Sequence, residues 1–238
     1  MNLETIYSNE IFGIVLSLFT FFLGTKIKSK WNYPFFHPLL LSIIFTITIL
    51  VLFNIPVEEY QKGGNLISIF LAPATVILAY SIYHQWTLLK KYWFAIFAGC
   101  LAGAITSIGS IYALGSFFNL EFSLTASLLP KSTTTPIAIE ISNSLNGIPS
   151  ITVISVVATG ILGSIICPVL GKLLRFYTND KKENNANKIA MGVAIGSCSH
   201  AVGTSKAIEL GETEGAMSGI AIGISGIFTV IITLLFFL

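Results

Sequence analysis

Polar stretches interrupt several apolar segments of this chain, and they hold the residues that could do chemistry. In the stretch 196–206, hydroxyl side chains, a histidine and a lysine lie within an otherwise apolar segment. His200 can donate or accept a hydrogen bond, and imidazole titrates near neutral pH, which suits proton coupling. The alternative is that an isolated histidine only satisfies packing. We predict a ligand site, whose candidate residues in this stretch are Ser199, His200, Thr204 and Lys206.

Gly196 and Gly203 bracket this stretch, and glycine permits a break in a helix. A half-helix that begins near Gly203 would direct the positive end of its dipole at the break, where an anion could bind. We therefore predict an unwound segment between the two glycines.

A second stretch, 129–136, combines a lysine with hydroxyls and two prolines. Lysine at the centre of a bilayer costs about 2.5–3.5 kcal/mol, so it usually faces a cavity or a partner. We predict that Lys131 binds a ligand together with Ser132, Thr133 and Thr134, and that Pro130 and Pro136 break the helix. The alternative is that Lys131 extends to the membrane surface. Glu140 could pair with it or could lie among the headgroups.

The third stretch, 70–75, contains Pro73, which removes one backbone donor. It could be a functional helix break or a simple kink. Together the polar set has more positive than negative charge, which predicts a small anion, most simply a carboxylate, as ligand. The sequence shows no nucleotide-binding loop, hydrolytic triad or metal site. We expect no cofactor, no metal, no enzymatic activity and no nucleic-acid partner.

These polar stretches belong to a chain whose composition requires lipid. Hydrophobic residues make up 54% and charged residues 10%, whereas soluble domains carry about 25% charged residues. The mean hydropathy is +0.83. So few charges cannot cover a water-facing surface, which argues against a soluble enzyme. The three cysteines lie in apolar segments, and we expect them to pack as small core residues.

Long apolar runs predict an all-α integral membrane protein. A membrane-crossing helix needs roughly 20 apolar residues. We predict a single domain over 1–238 with about seven transmembrane helices. The apolar segments are 11–25, 37–53, 65–83, 93–116, 149–171, 187–208 and 216–238, with an eighth, polar-rich segment at 124–145.

The basic residues predict the orientation, because basic loops stay on the cytoplasmic side. Ten of the 13 Lys and Arg fall in three loops, and the remaining loops are mostly acidic. With the N-terminus outside, every loop takes its preferred side only if 124–145 enters the membrane and turns back. We therefore predict a re-entrant or broken segment there. The ten residues are Lys26, Lys28, Lys30, Lys90, Lys91, Lys172, Arg175, Lys181, Lys182 and Lys188.

Such a reversal would make the second half of the chain inverted relative to the first, which is a common plan in transporters. Segments 65–83 and 187–208 are the candidate equivalents, since each is interrupted near its middle. Small-residue faces at 98–103 and 215–223 follow them and permit close helix packing.

The interrupted stretches resemble the LrgB/CidB family of bacterial membrane proteins over roughly residues 10–238. The matching passages are Phe-Leu-Ala-Pro-Ala-Thr at 70–75, Leu-Pro-Lys-Ser at 129–132, Thr-Pro-Ile-Ala at 135–138, Gly-Ile-Pro at 147–149 and Ser-His-Ala-Val-Gly-Thr-Ser-Lys-Ala at 199–207. The chain departs from the family at Ser81, where proline is frequent, and at Asn146, where a glycine pair is common.

The resemblance implies two functions. Bacterial members are named holin-like or antiholin-like and are linked to control of murein hydrolases and cell lysis, acting with a smaller LrgA/CidA-type membrane partner. A plastid relative exchanges glycolate and glycerate, and some bacterial pairs are associated with pyruvate uptake. We expect a plasma-membrane homo-oligomer that transports a small monocarboxylate with such a partner. The alternative is an antiholin-like or holin-like regulator of lysis.

Overall fold

The computed structural model describes residues 7–31, 36–84, 86–174 and 185–237, and within them it is helical with no strand. This confirms the predicted all-α class. The helices are α1 Glu10–Lys30, α2 Pro38–Leu52, α3 Val57–Ser68, α4 Leu71–His84, α5 Trp86–Phe117, α6 Phe122–Leu128, α7 Thr135–Ser144, α8 Pro149–Leu173, α9 Asn185–Leu210 and α10 Glu212–Phe237.

Four of the described helices are long and apolar enough to cross a membrane, namely α1, α5, α8 and α10. They match four of the predicted segments, and the shorter apolar helix α2 matches a fifth. The predicted count of seven is not confirmed, because segments 65–83 and 187–208 do not form single spanning helices.

The segment 65–83 is divided between α3 and α4, which meet at Ile69 and Phe70. Pro73 therefore lies in the first turn of α4, where its missing N–H would have no partner within the helix. The interruption thus falls one turn before Pro73, where a proline clashes with the carbonyl of the fourth residue before it. A functional role for this break stays a prediction.

The chain divides into two compact units, residues 1–74 and 75–238; the prediction of a single domain stays a prediction. In the first unit, α1 and α3 cross closely where Gly13 packs on the backbone of Gly63. A buried hydroxyl network joins α1 to α2, since Thr20 Oγ1 lies 3.0 Å from both Ser42 Oγ and Thr46 Oγ1. Small and hydroxyl residues thus hold these helices together, as is common in lipid.

In the second unit, α5 and α10 lie side by side and run in the same direction. Leu89, near the start of α5, shares an apolar cluster with Met217 near the start of α10. At the other end the Tyr112 ring packs against Phe237, with centroids 5.3 Å apart. We call the end near Leu89 the basic end, because Lys90 and Lys91 lie there, and the end near Phe237 the opposite end.

Helices α6 and α7 form a hairpin, which we call hairpin A (122–148). The two helices are antiparallel, because the backbone N–H of Ile148, beyond α7, donates to Ser127 Oγ in α6 at 2.6 Å. The first and last residues of hairpin A therefore both lie at the opposite end of the unit, near Phe237. Its tip reaches Ser107 of α5, about ten residues or roughly 15 Å from the end of that helix. That is about half of a 30 Å hydrocarbon core, which is the geometry of the predicted re-entrant segment.

Helix α9 also turns back, and we call it hairpin B (185–210). His200 interrupts the helix with φ 42° and ψ −142°, leaving a first arm (185–199) and a second arm (201–210). Ser218 of α10 contacts both arms, since Gly196 packs on its backbone and Thr204 Oγ1 lies 2.7 Å from its Oγ. Such a pairing requires the two arms to be antiparallel.

The predicted crossing by segment 187–208 is therefore wrong, whereas the predicted break between Gly196 and Gly203 is present, at His200. Gly196 lies within the first arm and Gly203 within the second, where Gly203 packs on Ser199 and Ile195. Both glycines allow close packing, whereas the break falls on His200. The chain consequently returns to the basic end, where α10 begins with Glu212, a residue that the charge pattern placed on the other side.

Helix α8 runs from the opposite end to the basic end. Thr152, near its start, donates to Ser142 of hairpin A at 2.8 Å, and Cys167, near its end, packs on the arms of hairpin B. The second unit thus contains a helix followed by a hairpin, and this arrangement occurs twice in inverted orientation. The first copy is α5 with hairpin A, and the second is α8 with hairpin B. The inversion pairs 122–148 with 185–210, in place of the predicted pairing of 65–83 with 187–208.

Because Gly196 packs tightly on α10, we predict that a larger residue at Gly196 destabilises the protein more than the same residue at Gly219. A Cβ at Gly196 would lie 2.9 Å from the Ala221 Cβ and would clash with the Ser218 carbonyl, whereas a Cβ at Gly219 meets no atom within 4 Å. We expect Gly196→Val to lower the free energy of unfolding by about 1–3 kcal/mol. Denaturation of the purified protein in detergent measures the change, with Gly219→Val as the control that stays close to wild type.

Candidate functional site

The tips of the two hairpins meet on one stretch of α5. Ser132 of hairpin A lies 2.9 Å from Ser107, between the two Oγ atoms. Ser197 of hairpin B packs on Gly103, where an added Cβ would lie 3.2 Å from its Oγ. Two polar stretches that are far apart in sequence therefore meet at mid-helix depth.

Lys131 is the cation at this meeting point. It is half-buried, and its Nζ lies 3.4 Å from Ser107 Oγ and 3.5 Å from Ser132 Oγ. It also lies close enough to Cys198 of hairpin B for an electrostatic interaction. Within the described part of the chain, no carboxylate is within ion-pair distance of Lys131, and Glu140 is exposed on α7. A positive charge at this depth thus has hydroxyls around it but no counter-ion from the described residues.

The hydroxyls of hairpin A have different roles. Thr133 Oγ1 donates to the Pro130 carbonyl at 2.8 Å and so closes the turn at the tip. Thr134 is the N-cap of α7, and its buried Oγ1 has no hydrogen-bond partner among the described residues. Leaving a buried hydroxyl unpaired costs about 1–3 kcal/mol. Thr134 is therefore a donor that the described protein atoms leave unused.

The two prolines of hairpin A also differ. Pro130 lies in the turn after α6, as predicted for a break. Pro136 occupies the second position of α7, where proline favours the start of a helix. Pro136 thus lies at the edge of the interruption between α6 and α7, in the first turn of the helix that follows it.

His200 fixes the tip of hairpin B to α8. Its Nε2 lies 2.9 Å from the Val156 carbonyl, and because a carbonyl only accepts, this nitrogen donates. The ring is buried against Gly160, where a Cβ would lie 2.9 Å from Nε2. The φ of 42° is unusual for a residue with a Cβ, and such strain costs about 1–3 kcal/mol. His200 is thus a positioning residue, and proton coupling stays a prediction.

The neighbouring hydroxyls support this break. Ser199 is buried against Gly163 of α8, and Thr204 Oγ1 donates to the His200 carbonyl at 2.9 Å. Ser225 Oγ donates to the Ser197 carbonyl at 3.4 Å, which provides a side-chain donor at the break. These contacts satisfy polar groups of the broken helix within protein, which is the condition for irregular backbone at membrane depth.

Lys206 is not brought to Lys131. Its Nζ pairs with Glu209 Oε2 at 2.6 Å, and both side chains are more than a third exposed. Such an exposed pair contributes little to stability and neutralises the charge. Lys206, which the sequence predicts to bind a ligand, therefore lies on the surface of the second arm and away from the hairpin tip.

Several residues of this site escaped the sequence analysis. Ser107, Val156 and Gly160 lie inside apolar segments, where a serine, a carbonyl or a glycine gives no distinct signal. The four-residue spacing of Gly103 and Ser107 places both on one helix face and is the one hint available. Cys198 also differs from its prediction, since it is exposed at the tip while Cys100 is buried.

The fold and the site define a multi-pass helical membrane protein with a polar, cationic centre between opposed hairpins. The chain belongs to the LrgB-like family, whose sequence model matches residues 17–238. It is similar to the antiholin-like protein LrgB of Bacillus mycoides strain KBAB4, with 37% identity over 94% of each chain. Proteins of the same name from Bacillus cereus strain B4264 and Bacillus anthracis strain CDC 684 / NRRL 3495 match to the same extent. No solved structure matches the chain.

These matches confirm the family resemblance found in the sequence. The passage 129–132 lies in the tip of hairpin A, and the passage 199–207 begins at the tip of hairpin B and continues along its second arm. The strings that carry the resemblance therefore include both hairpin tips.

The strained backbone at His200 predicts different effects for two substitutions. His200→Ala loses the bond to the Val156 carbonyl and keeps the strain, whereas His200→Gly loses the bond but relieves the strain. We expect both variants to be less stable than wild type, with the alanine variant lower by about 1 kcal/mol. Thermal unfolding in detergent compares them. If the two variants are equally stable, or if the glycine variant is the less stable one, the backbone at His200 is not strained.

Proposed function

We propose that this protein is a membrane carrier, or the larger subunit of one, for a small monocarboxylate such as pyruvate or glycolate or glycerate. It acts with a smaller LrgA/CidA-type membrane partner and forms a homo-oligomer. The observation that supports this most directly is Lys131, a half-buried cation without a carboxylate partner among the described residues, where two hairpin tips meet.

The chemistry of the site favours a carboxylate. One carboxylate oxygen would accept from Lys131 Nζ and the other from the hydroxyls of Ser107 and Ser132, which lie 3.4 and 3.5 Å from that nitrogen. Thr134 offers a further hydroxyl. Charge-assisted hydrogen bonds of this kind are about twice as strong as neutral ones. A bound monocarboxylate would also neutralise the lysine, which removes the cost of an unpaired charge at this depth.

In this proposal some of the predicted binding residues contact the substrate, and others only hold the hairpin tips in shape. Lys131, Ser132 and Thr134 contact the substrate, joined by Ser107. Thr133, Ser199, His200 and Thr204 hold the two tips in shape, because their side chains bond to or pack on the protein. Lys206 has no direct part, since it pairs with Glu209.

The hairpin arrangement suits a carrier better than an open pore. Hairpin A comes from the opposite end and hairpin B from the basic end, and their tips meet on α5. A substrate at the meeting point would be covered by one hairpin on each side. Sites formed by broken helices near the midplane, between inverted repeats, are frequent in secondary transporters.

The membrane orientation of the second unit follows from its basic residues. Lys90, Lys91 and Lys172 lie at the basic end, which we propose faces the cytoplasm of a cell-membrane protein. Arg175, Lys181 and Lys182 lie outside the described residues. The C-terminal end of α10 is then outside, and an external N-terminus stays a prediction.

Removal of the Lys131 charge tests the carrier directly. We expect vesicles with the protein and its partner to take up labelled pyruvate or glycolate, and Lys131→Met to lower the rate by about a hundredfold, because a lost charged contact costs about 3 kcal/mol. Lys131→Arg should keep part of the activity. Lys206→Met is the matched control and should transport like wild type.

The carrier proposal fails if wild-type vesicles show no flux above empty vesicles across a panel of small acids. Equal losses in Lys131→Met and Lys206→Met would reject the assignment of the site while leaving transport in place.

A second candidate is a regulator of murein hydrolases and lysis that works through a holin-like partner. It is favoured by the name of the relatives, antiholin-like protein LrgB. The small-residue faces at 98–103 and 215–223, which could have bound such a partner, give this candidate less support. Gly99, Gly103 and Gly215 pack against Val193, Ser197 and Ile208 within the second unit.

The Lys131→Met variant also separates the two candidates in cells. If lysis control depends on transport, we expect this variant to assemble in the membrane yet fail to restore normal autolysis rates to a deletion strain. Detergent-induced autolysis measures the effect, with Lys206→Met as the control. Full restoration by Lys131→Met would support a regulator that needs no carrier activity.

A further inference from the structure

A cavity of about 700 Å³ lies beside hairpin B within the second unit. Its walls are the second arm, the first half of α10, the end of α4 and the start of α5. At the basic end it is lined by His84 and Glu212, and at its inner end by Ala201, which directly follows the break at His200. The cavity therefore runs along the second arm from the basic end to the hairpin tip.

The cavity has a mixed lining that suits the passage of a small polar molecule. The side chains of Thr204 and Ser205 line it from the second arm, and Tyr80 lines it from α4. Glu212 stands in the first turn of α10, where the helix dipole offsets a negative charge. The hydroxyls of Thr204 and Ser205 donate to the His200 and Ala201 carbonyls within the second arm. Their oxygens and the Tyr80 hydroxyl make part of the cavity wall polar.

Gly219 of α10 controls how wide this space is. A Cβ built there meets no atom within 4 Å, so helix packing does not require glycine at this position. The neighbouring Gly215 is different, since its Cβ would lie 2.8 Å from Ile208. At Gly219 the missing side chain instead leaves the cavity open beside Thr204.

We propose that this cavity is the passage by which the carboxylate reaches the hairpin tips from the basic end, and that Gly219 sets its width and hence the size of acid that is transported. This proposal depends on the carrier function proposed above. It adds an approach to the hairpin tips and a specificity-determining residue outside the Lys131 site.

The chain provides a matched control at Gly109 of α5. A Cβ there also meets no atom within 4 Å, and Gly109 lines a different cavity, together with Ile105 and Tyr112, toward the opposite end. Substitutions at Gly109 and Gly219 therefore add the same volume to open space on a spanning helix. They differ in which cavity they fill.

The test is a size series, Gly219→Ala, Gly219→Val and Gly219→Leu, compared with Gly109→Leu, in vesicles that contain the partner. We expect uptake to fall with each added carbon, by about tenfold or more for leucine. Pyruvate should be lost before the smaller glycolate, so the glycolate-to-pyruvate ratio should rise. Gly109→Leu should stay within about twofold of wild type, since it leaves the passage open.

The outcomes separate this proposal from the carrier function itself. A wild-type protein without flux rejects the carrier, whereas a wild-type flux that Gly219→Leu leaves intact rejects the passage. Equal losses at Gly109 and Gly219, or an unchanged ratio of the two acids, also reject it. If the leucine variant does not fold, Gly219→Cys replaces it. We then expect a membrane-impermeant thiol reagent added at the basic end to modify residue 219 and to block uptake, and an absence of modification, read by mass spectrometry, overturns the proposal.

Discussion

The second unit depends on one constraint, which is that backbone polar groups released inside a membrane must find partners in the protein. Two chain reversals, at 129–134 and at His200, release such groups at mid-helix depth. Thr133 and Ser225 donate to carbonyls at the two reversals, and the His200 ring bonds to Val156 on α8. The helices α5, α8 and α10 therefore enclose the tips, because a broken helix facing lipid would leave those groups unpaired.

Much of this fold could be predicted from composition and periodicity, since long apolar runs require helices in lipid. The re-entrant segment at 124–145 was also predictable, because the basic loops fixed the side of each neighbouring helix. The reversal at His200 was not. Its two arms together have the length of one spanning helix, and tertiary contacts such as those of Gly196 and Thr204 with the same serine, Ser218, are what distinguish a hairpin from a straight helix.

The cation of the candidate site could be predicted from the sequence, whereas most of the residues that surround it could not. Lys131 was identified because lysine is costly in an apolar segment, and it lies where the tips meet. Lys206 satisfied the same criterion, yet Glu209 three residues later neutralises it on the helix surface. Ser107 could not be singled out, because a serine within a spanning helix usually bonds to its own backbone. Its role arises only from the approach of hairpin A, which is a tertiary contact.

One turn of α5 carries both hairpin tips, with Gly103 under Ser197 and Ser107 beside Ser132. Both tips therefore rest on the same rigid stretch of helix, about 6 Å apart along its axis. In the carrier proposed above, coupling between the two tips would be reciprocal. This shared contact would then link the two faces of the carrier without a long-distance relay through the rest of the chain.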